Sequence, residues 1–149
     1  MAKLSLEIIT GERVLFEETG IDAVIAPGVI GELGILPNHA PLVTVLQPGE
    51  LRVQREGNAD EPFFVSGGFL EVHDDTVTVL ADTAERGDEI DLERAEAARA
   101  RAADRLRSEV DVDRARAQAA MQRSLMRIRI GERRARRRAS QRGGDPPSR

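Results

Sequence analysis

The chain changes character near residue 84, and no single fold layer accommodates both sides of that point. Residues 1–84 hold 4 Lys+Arg against 14 Asp+Glu, a net of −10, and are dominated by Val, Ile, Gly and Pro. Residues 85–149 hold 18 Arg against 12 Asp+Glu, a net of +6, and are dominated by Ala and Arg. The hydrophobic period changes at the same place, from about two residues to about 3.6. A simultaneous shift of charge, residue type and period marks a domain boundary. The 149 residues leave room for one full domain and a small appendage. The expected division is 1–86, 87–139 and a disordered tail over 140–149.

Before the boundary the pattern is β. "LSLEIIT" (4–10) alternates apolar and polar residues, as a half-buried strand does. "RVLFEE", "IDAVIA", "LVTVL", "ELRVQRE", "PFFVSG", "FLEVHD" and "TVTVLAD" follow. Short punctuation separates them, including Pro27-Gly28, Pro48-Gly49, Gly67-Gly68 and Asp74-Asp75. About eight to ten short strands at this spacing predict an antiparallel sandwich or flattened barrel. With four Phe and neither Trp nor Tyr, aliphatic side chains must build its core.

After the boundary the pattern is α. Leu92, Ala95, Ala98, Ala102 and Leu106 form one helical face, and Asp91 is placed to cap its first turn. "SEVDVD" (108–113) interrupts, with acids suited to starting a second helix. Val112, Ala115, Ala119, Met126 and Ile130 continue the seam, which predicts an antiparallel hairpin. The seam is mostly Ala. A methyl group buries little area at about 25 cal/mol per Å², so the hairpin is expected to be marginal alone, docking on something or opening. The arginine run of "GERRARRRASQRGGDPPSR" (131–149) is expected to extend the second helix before the chain frays. The expected fold class is therefore α+β, an antiparallel β-sandwich followed by a two-helix hairpin.

Several chemistries are excluded. Without cysteine there is no disulfide, zinc–thiolate site or thiol nucleophile. His39 and His73 are the only histidines and have no third ligand at useful spacing, so no metal site is expected. "PGVIGELGILP" (27–37) matches neither GxGxxG nor GxxxxGK[ST], and Ser66 in "VSGG" is not in a G-x-S-x-G elbow. The start of the chain lacks the blocks of a signal peptide, and no apolar run approaches the roughly 20 residues that span a bilayer. A nucleic-acid-binding barrel with a basic arm remains an alternative. The −10 charge of the β region and the missing aromatic platform weigh against it.

Four stretches carry a resemblance. "GELGILPNHAPLVT" (31–44), "VSGGFLEV" (65–72), "VTVLADTAERG" (77–87) and "IDLERA" (90–95) are similar, in that order, to the epsilon subunits of F-type ATP synthases. The match runs to about residue 130. It implies a non-catalytic subunit of the central stalk, peripheral on the cytoplasmic side of the bacterial cell membrane, with no cofactor. Its β-domain would bind the gamma subunit and the c-subunit ring. Its hairpin would either pack down or extend along gamma into the catalytic head of alpha and beta subunits, blocking ATP hydrolysis.

The resemblance also implies site residues. Glu32, in a loop opened by Gly31, matches an acidic position facing the ring. His39 matches the histidine of the family's "HAPL" segment, where it either meets a partner or ties down its own loop. "IDLERA" fits the I/L-D-x-x-R-A pattern by which several bacterial members bind ATP as a regulatory ligand. Carried over, Glu85, Ile90, Asp91, Arg94 and Ala95 match positions in and before the motif, and Arg101 matches an arginine further along the first helix. "QRSLMRI" aligns with a segment that supplies two more, Arg123 and Arg127. Their i, i+4 spacing puts both on one helical face. A stand-alone nucleotide sensor would share these residues without needing the "GELGILPNHAPL" loop.

Overall fold

Two long strands in the first half each reverse the face they bury, and this reversal shapes the domain. The computed structural model describes residues 1–108 and 113–142 and divides the chain into two units, Met1–Arg86 and Gly87–Arg149. The first unit contains β1 (Leu4–Thr10), β2 (Val14–Ile21), β3 (Ala23–Gly28), β4 (Gly31–Ile35), β5 (Leu42–Gln54), β6 (Glu61–His73), β7 (Thr76–Ala81) and β8 (Ala84–Arg86). The sheet order is β2-β1-β7-β6-β5-β3-β4, with β8 on β6.

In β5 the more buried positions are Leu42, Thr44 and Leu46, then Gly49, Leu51 and Val53. In β6 the core-facing ones are Phe63, Val65 and Gly67, then Leu70 and Val72, while Phe64 is also fully buried but stands outside the core cluster. Side chains alternate with a period of two, so each strand must slip by one residue to keep facing the core. The two slips lie opposite one another, between the register pairs Leu46↔Gly68 and Pro48↔Ser66. Here the sheet turns over on itself and closes a sandwich around one core, in which Phe63, Leu4, Leu6, Ile8, Leu51 and Leu70 are essentially inaccessible.

The residues at this corner have steric reasons to be small. Gly67 and Gly68 have φ of 111° and 131°, and a Cβ on Gly68 would lie 2.0 Å from the Leu80 carbonyl oxygen. A Cβ on Gly49 would lie 2.7 Å from Pro27 Cβ on β3. The Pro48-Gly49 and Gly67-Gly68 pairs, which the sequence suggests are turns between strands, are thus corners within strands. A second difference is that β1 pairs with β7 in parallel, whereas the other ladders are antiparallel. A third is β4, in the glycine-spaced stretch expected to be loop.

Charged side chains tie the strand ends together. Arg55 makes two 2.6 Å bonds to the Glu18 carboxylate and a 2.9 Å bond to Glu61, which also accepts from Arg86 at 2.9 Å. The Glu18 carboxylate, with Glu61 behind it, raises the Arg55 pKa above its ordinary value against some desolvation. Arg86 lies over the rings of Phe16 and Phe63, 5.2 and 5.8 Å from their centroids. That contact holds the last residue of the unit on its core.

The second unit is a pair of helices, α1 (Leu92–Arg107) and α2 (Arg114–Arg142). Asp91 caps α1 as expected, its carboxylate accepting from the Arg94 N–H at 3.0 Å, and Asp113 does the same for the Arg116 N–H. A Cβ on Gly131 would come within 2.7 Å of Leu92 Cδ2, so the start of α1 lies against the later part of α2 and the pair is antiparallel. The buried seam is Ala95 and Ala102 on α1 with Ala117, Ser124, Ile128 and Gly131 on α2. Ile130 is buried as expected, but Ala115 is exposed, because the seam follows 117, 124, 128 and 131 instead. Val112 lies outside the described residues. Residues 140–142, assigned to the tail from sequence, are helical, and 143–149 lie outside the described residues.

Candidate functional site

On the first unit, the side of the sheet away from the core carries a row of apolar side chains. Register places Val45 beside Phe69, Phe69 beside Leu80, Leu80 beside Ile9, and Ile9 beside Val14. The row crosses β5, β6, β7, β1 and β2. Val45, Phe69, Leu80 and Val14 are each about half exposed, at 48%, 55%, 51% and 50%. Scattered apolar residues need no explanation, but a contiguous exposed row is the mark of a docking surface.

The β3–β4 hairpin makes a second apolar feature. Its tip is Val29 and Ile30, with Ile30 fully exposed, between Gly28 and Gly31. Gly31 has φ 133°, a conformation that favours glycine. The Gln47 side chain donates to the Val29 carbonyl and steadies the tip. Glu32 is exposed and pairs with Arg52 at 3.1 Å. The His39 ring lies with Nδ1 2.6 Å from the Ala40 carbonyl oxygen.

The nucleotide-site candidates divide between the two units. Glu85 is half-buried on β8, opposite Phe64, and belongs to the first unit. The other seven lie in the second. Ile90 is half-buried, Asp91 is engaged as the cap, and Ala95 is a seam residue at 3% exposure. Arg94 and Arg101 are exposed, while Arg123 and Arg127 are half-buried.

Helical geometry relates the four arginines. At ~100° per residue, Arg94 and Arg101 fall about a quarter turn or slightly more to one side of the Ala95–Ala102 seam. Arg123 and Arg127 fall in the same rotational sense from the Ala117–Ser124–Ile128 seam. In an antiparallel pair, flanks of like sense lie on the same side. All four guanidinium groups therefore belong to one side of the hairpin, with Arg94 near the level of Arg127 and Arg101 near that of Arg123, given Leu92 against Gly131.

A cleft of about 320 Å³ lies beyond them, which the sequence reading missed. Arg134, Arg138 and Arg142 line it together with Asp88, Ile90 and Leu92. Asp88 pairs with Arg138 at 3.3 Å. The signal was the i, i+4, i+8 spacing within "RRARRRASQR", hidden in a run where almost every spacing occurs. Among the described residues no group of three His, Cys, Asp or Glu is placed to hold a metal, and no helix is long and apolar enough to cross a membrane.

The model of the ATP synthase delta/epsilon chain β-sandwich domain matches residues 3–87, and that of the long α-helix domain matches residues 88–132. An ATP synthase epsilon chain of Desulforamulus reducens is 58% identical over 113 residues, covering 73% of this chain and 82% of that protein. One of Moorella thermoacetica is 56% identical over 107 residues, covering 72% and 79%. Among solved structures, a chain of the Euglena gracilis mitochondrial ATP synthase OSCP/F1/c-ring assembly superposes with a TM-score of 0.72 at 27% identity, covering 83% of this chain and 78% of that one. A chain of the Tetrahymena thermophila mitochondrial ATP synthase central stalk and c-ring shares the fold at a TM-score of 0.58 and 18% identity, covering 88% and 95%. With both domains matched in order, the chain belongs to the family of ATP synthase epsilon chains, non-catalytic subunits of that complex.

Proposed function

We propose that the chain is a central-stalk subunit on the cytoplasmic side of a bacterial membrane, coupling proton transport to ATP synthesis and restraining ATP hydrolysis. Its first unit docks on gamma through the Val45–Phe69–Leu80–Ile9–Val14 row and meets the c ring through the Val29-Ile30 tip and Glu32. Its second unit exchanges between a closed hairpin and an extended form that reaches the alpha and beta subunits of the head. ATP holds the closed form through Arg94, Arg101, Arg123 and Arg127. The four-part family match favours this reading over a stand-alone sensor or a nucleic-acid-binding barrel.

The observation that carries it is a thin seam flanked by same-side arginines. Ala95, Ala102 and Ala117 contribute only methyl groups, and buried Ser124 spends its hydroxyl on the Met121 carbonyl at 2.8 Å. Two packings of similar energy are shifted by a ligand that prefers one. Guanidinium forks suit phosphate oxygens.

Calorimetry of the isolated chain tests the proposal, followed by hydrolysis assays on the reconstituted complex. ATP should bind with measurable heat, and Arg94→Ala should weaken it roughly tenfold or more, the value of one charge-assisted contact. A complex whose chain lacks residues 88–149 should assemble and hydrolyse ATP faster. No heat at millimolar ATP would refute the nucleotide site, and unchanged hydrolysis would refute the restraint.

A further inference from the structure

The cleft on α2 has properties that the proposed nucleotide site does not use. Arg134, Arg138 and Arg142 recur every four residues, so their guanidinium groups line one strip of α2 over about 12 Å of rise. Among the described residues Asp88 is the only acid lining the cleft, which leaves a local excess of positive charge. Arg134 Nε is buried with no hydrogen-bond partner among the described residues. A buried donor without an acceptor is costly, and native structures seldom leave one without a reason. Its apolar lining is half-buried Ile90 and Leu92 with the exposed Ala135 and Ala139. Arg134 lies seven residues, about 10 Å of rise, beyond Arg127. The cleft is therefore adjacent to the four-arginine flank; it shares Ile90 with the nucleotide-site candidates but uses other arginines.

We propose that this cleft is a second anion site, for a compact phosphate-bearing molecule of the pyrophosphate class, and that Asp88 is its built-in competitor. In the structure the Asp88 carboxylate takes the place a phosphate oxygen would take on Arg138, at 3.3 Å. An incoming diphosphate displaces Asp88, bridges Arg138 and Arg142, and gives Arg134 Nε the acceptor it lacks. One carboxylate against three guanidinium groups is a weak lock, so a more highly charged anion replaces it. The proposal does not rest on ATP binding at Arg94. Its chemistry fits either free pyrophosphate or the phosphate tail of a nucleotide.

Titration of the full chain with inorganic pyrophosphate at low ionic strength tests this, with helix content checked by circular dichroism. The unaltered chain should bind. Arg138→Gln and Arg134→Gln should each weaken binding roughly tenfold or more, as loss of a charge-assisted contact does. Asp88→Asn should tighten it several-fold, a gain that misfolding cannot mimic. Binding that survives Arg94→Ala and is weakened by Arg138→Gln belongs to the cleft, which separates this site from the nucleotide proposal. In the Arg94→Ala chain, displacement of pyrophosphate by ATP would assign the cleft to a nucleotide's phosphates, and failure to displace it would assign the cleft to free pyrophosphate. The proposal is overturned by no binding to the unaltered chain, by Asp88→Asn binding no tighter, or by binding lost in Arg94→Ala and kept in Arg138→Gln.

Discussion

Replacing Gly68 with alanine should be among the most damaging single-methyl changes in the first unit. Gly68 sits at φ 131°, and its added Cβ would lie 2.0 Å from the Leu80 carbonyl oxygen and 2.9 Å from Ala81 Cα. Both neighbours are backbone of β7, so no side chain can swing aside. The strands must part by about an ångström, which weakens the ladder on both sides of Gly68↔Ala81. Backbone strain of ~1–3 kcal/mol adds to one or two weakened hydrogen bonds at ~1 kcal/mol each. The expected loss is about 2–5 kcal/mol. For a unit of this size each kcal/mol moves the midpoint by roughly 4–8 °C, so scanning calorimetry should show a fall of at least about 8 °C. Two glycines serve as controls. Gly57→Ala, at φ 74° in open space, should lose only the strain of ~1–2 kcal/mol. Gly11→Ala, with nothing within 4 Å and an ordinary φ, should stay within ~0.5 kcal/mol. If Gly68→Ala unfolds no earlier than Gly57→Ala, the reading of this corner is wrong.

Two more outcomes follow from the packing and the charges. Ala102→Leu puts a large side chain where exposure is 2%, and overpacking of ~1–3 kcal/mol should open the hairpin, seen as faster amide exchange along α1 with the first unit's protection unchanged. Asp22 is held below the ordinary aspartate pKa by its bond to Lys3 and then by the Glu56 N–H at 2.7 Å. That stability is present above the ordinary aspartate range and lost as pH falls through the lowered value, so Asp22→Asn should flatten the acid limb of a stability–pH profile; an unaltered limb would contradict the assignment.

Local signals were legible in the sequence where one residue type has one use. Asp91 before an apolar helical period caps that helix, and the alternation that opens "LSLEIIT" is a strand. Glycine was ambiguous. Gly67-Gly68 and Pro48-Gly49 have the spelling of a turn, yet their roles are to let Leu80 and Pro27 approach, and those neighbours are distant in sequence. The parallel β1–β7 ladder was hidden for a similar reason, since pairing between the two ends of a domain leaves no local trace. On α2 the abundance of arginine concealed which ones act together. Only the seam, once located by burial of Ala117, Ser124 and Ile128, assigns each arginine a side.

The apolar row of the first unit also has a mechanical consequence. It runs along the hydrogen-bonding direction, across five strands, over about 19 Å at the usual strand spacing. A partner gripping the whole row would load five backbones together, whereas one gripping a single strand would unzip it rung by rung. The long strands β5 and β6 carry that load around the corner at Gly49 and Gly68 into the other layer. A body that must be turned by its neighbour without coming apart is better held across its grain than along it.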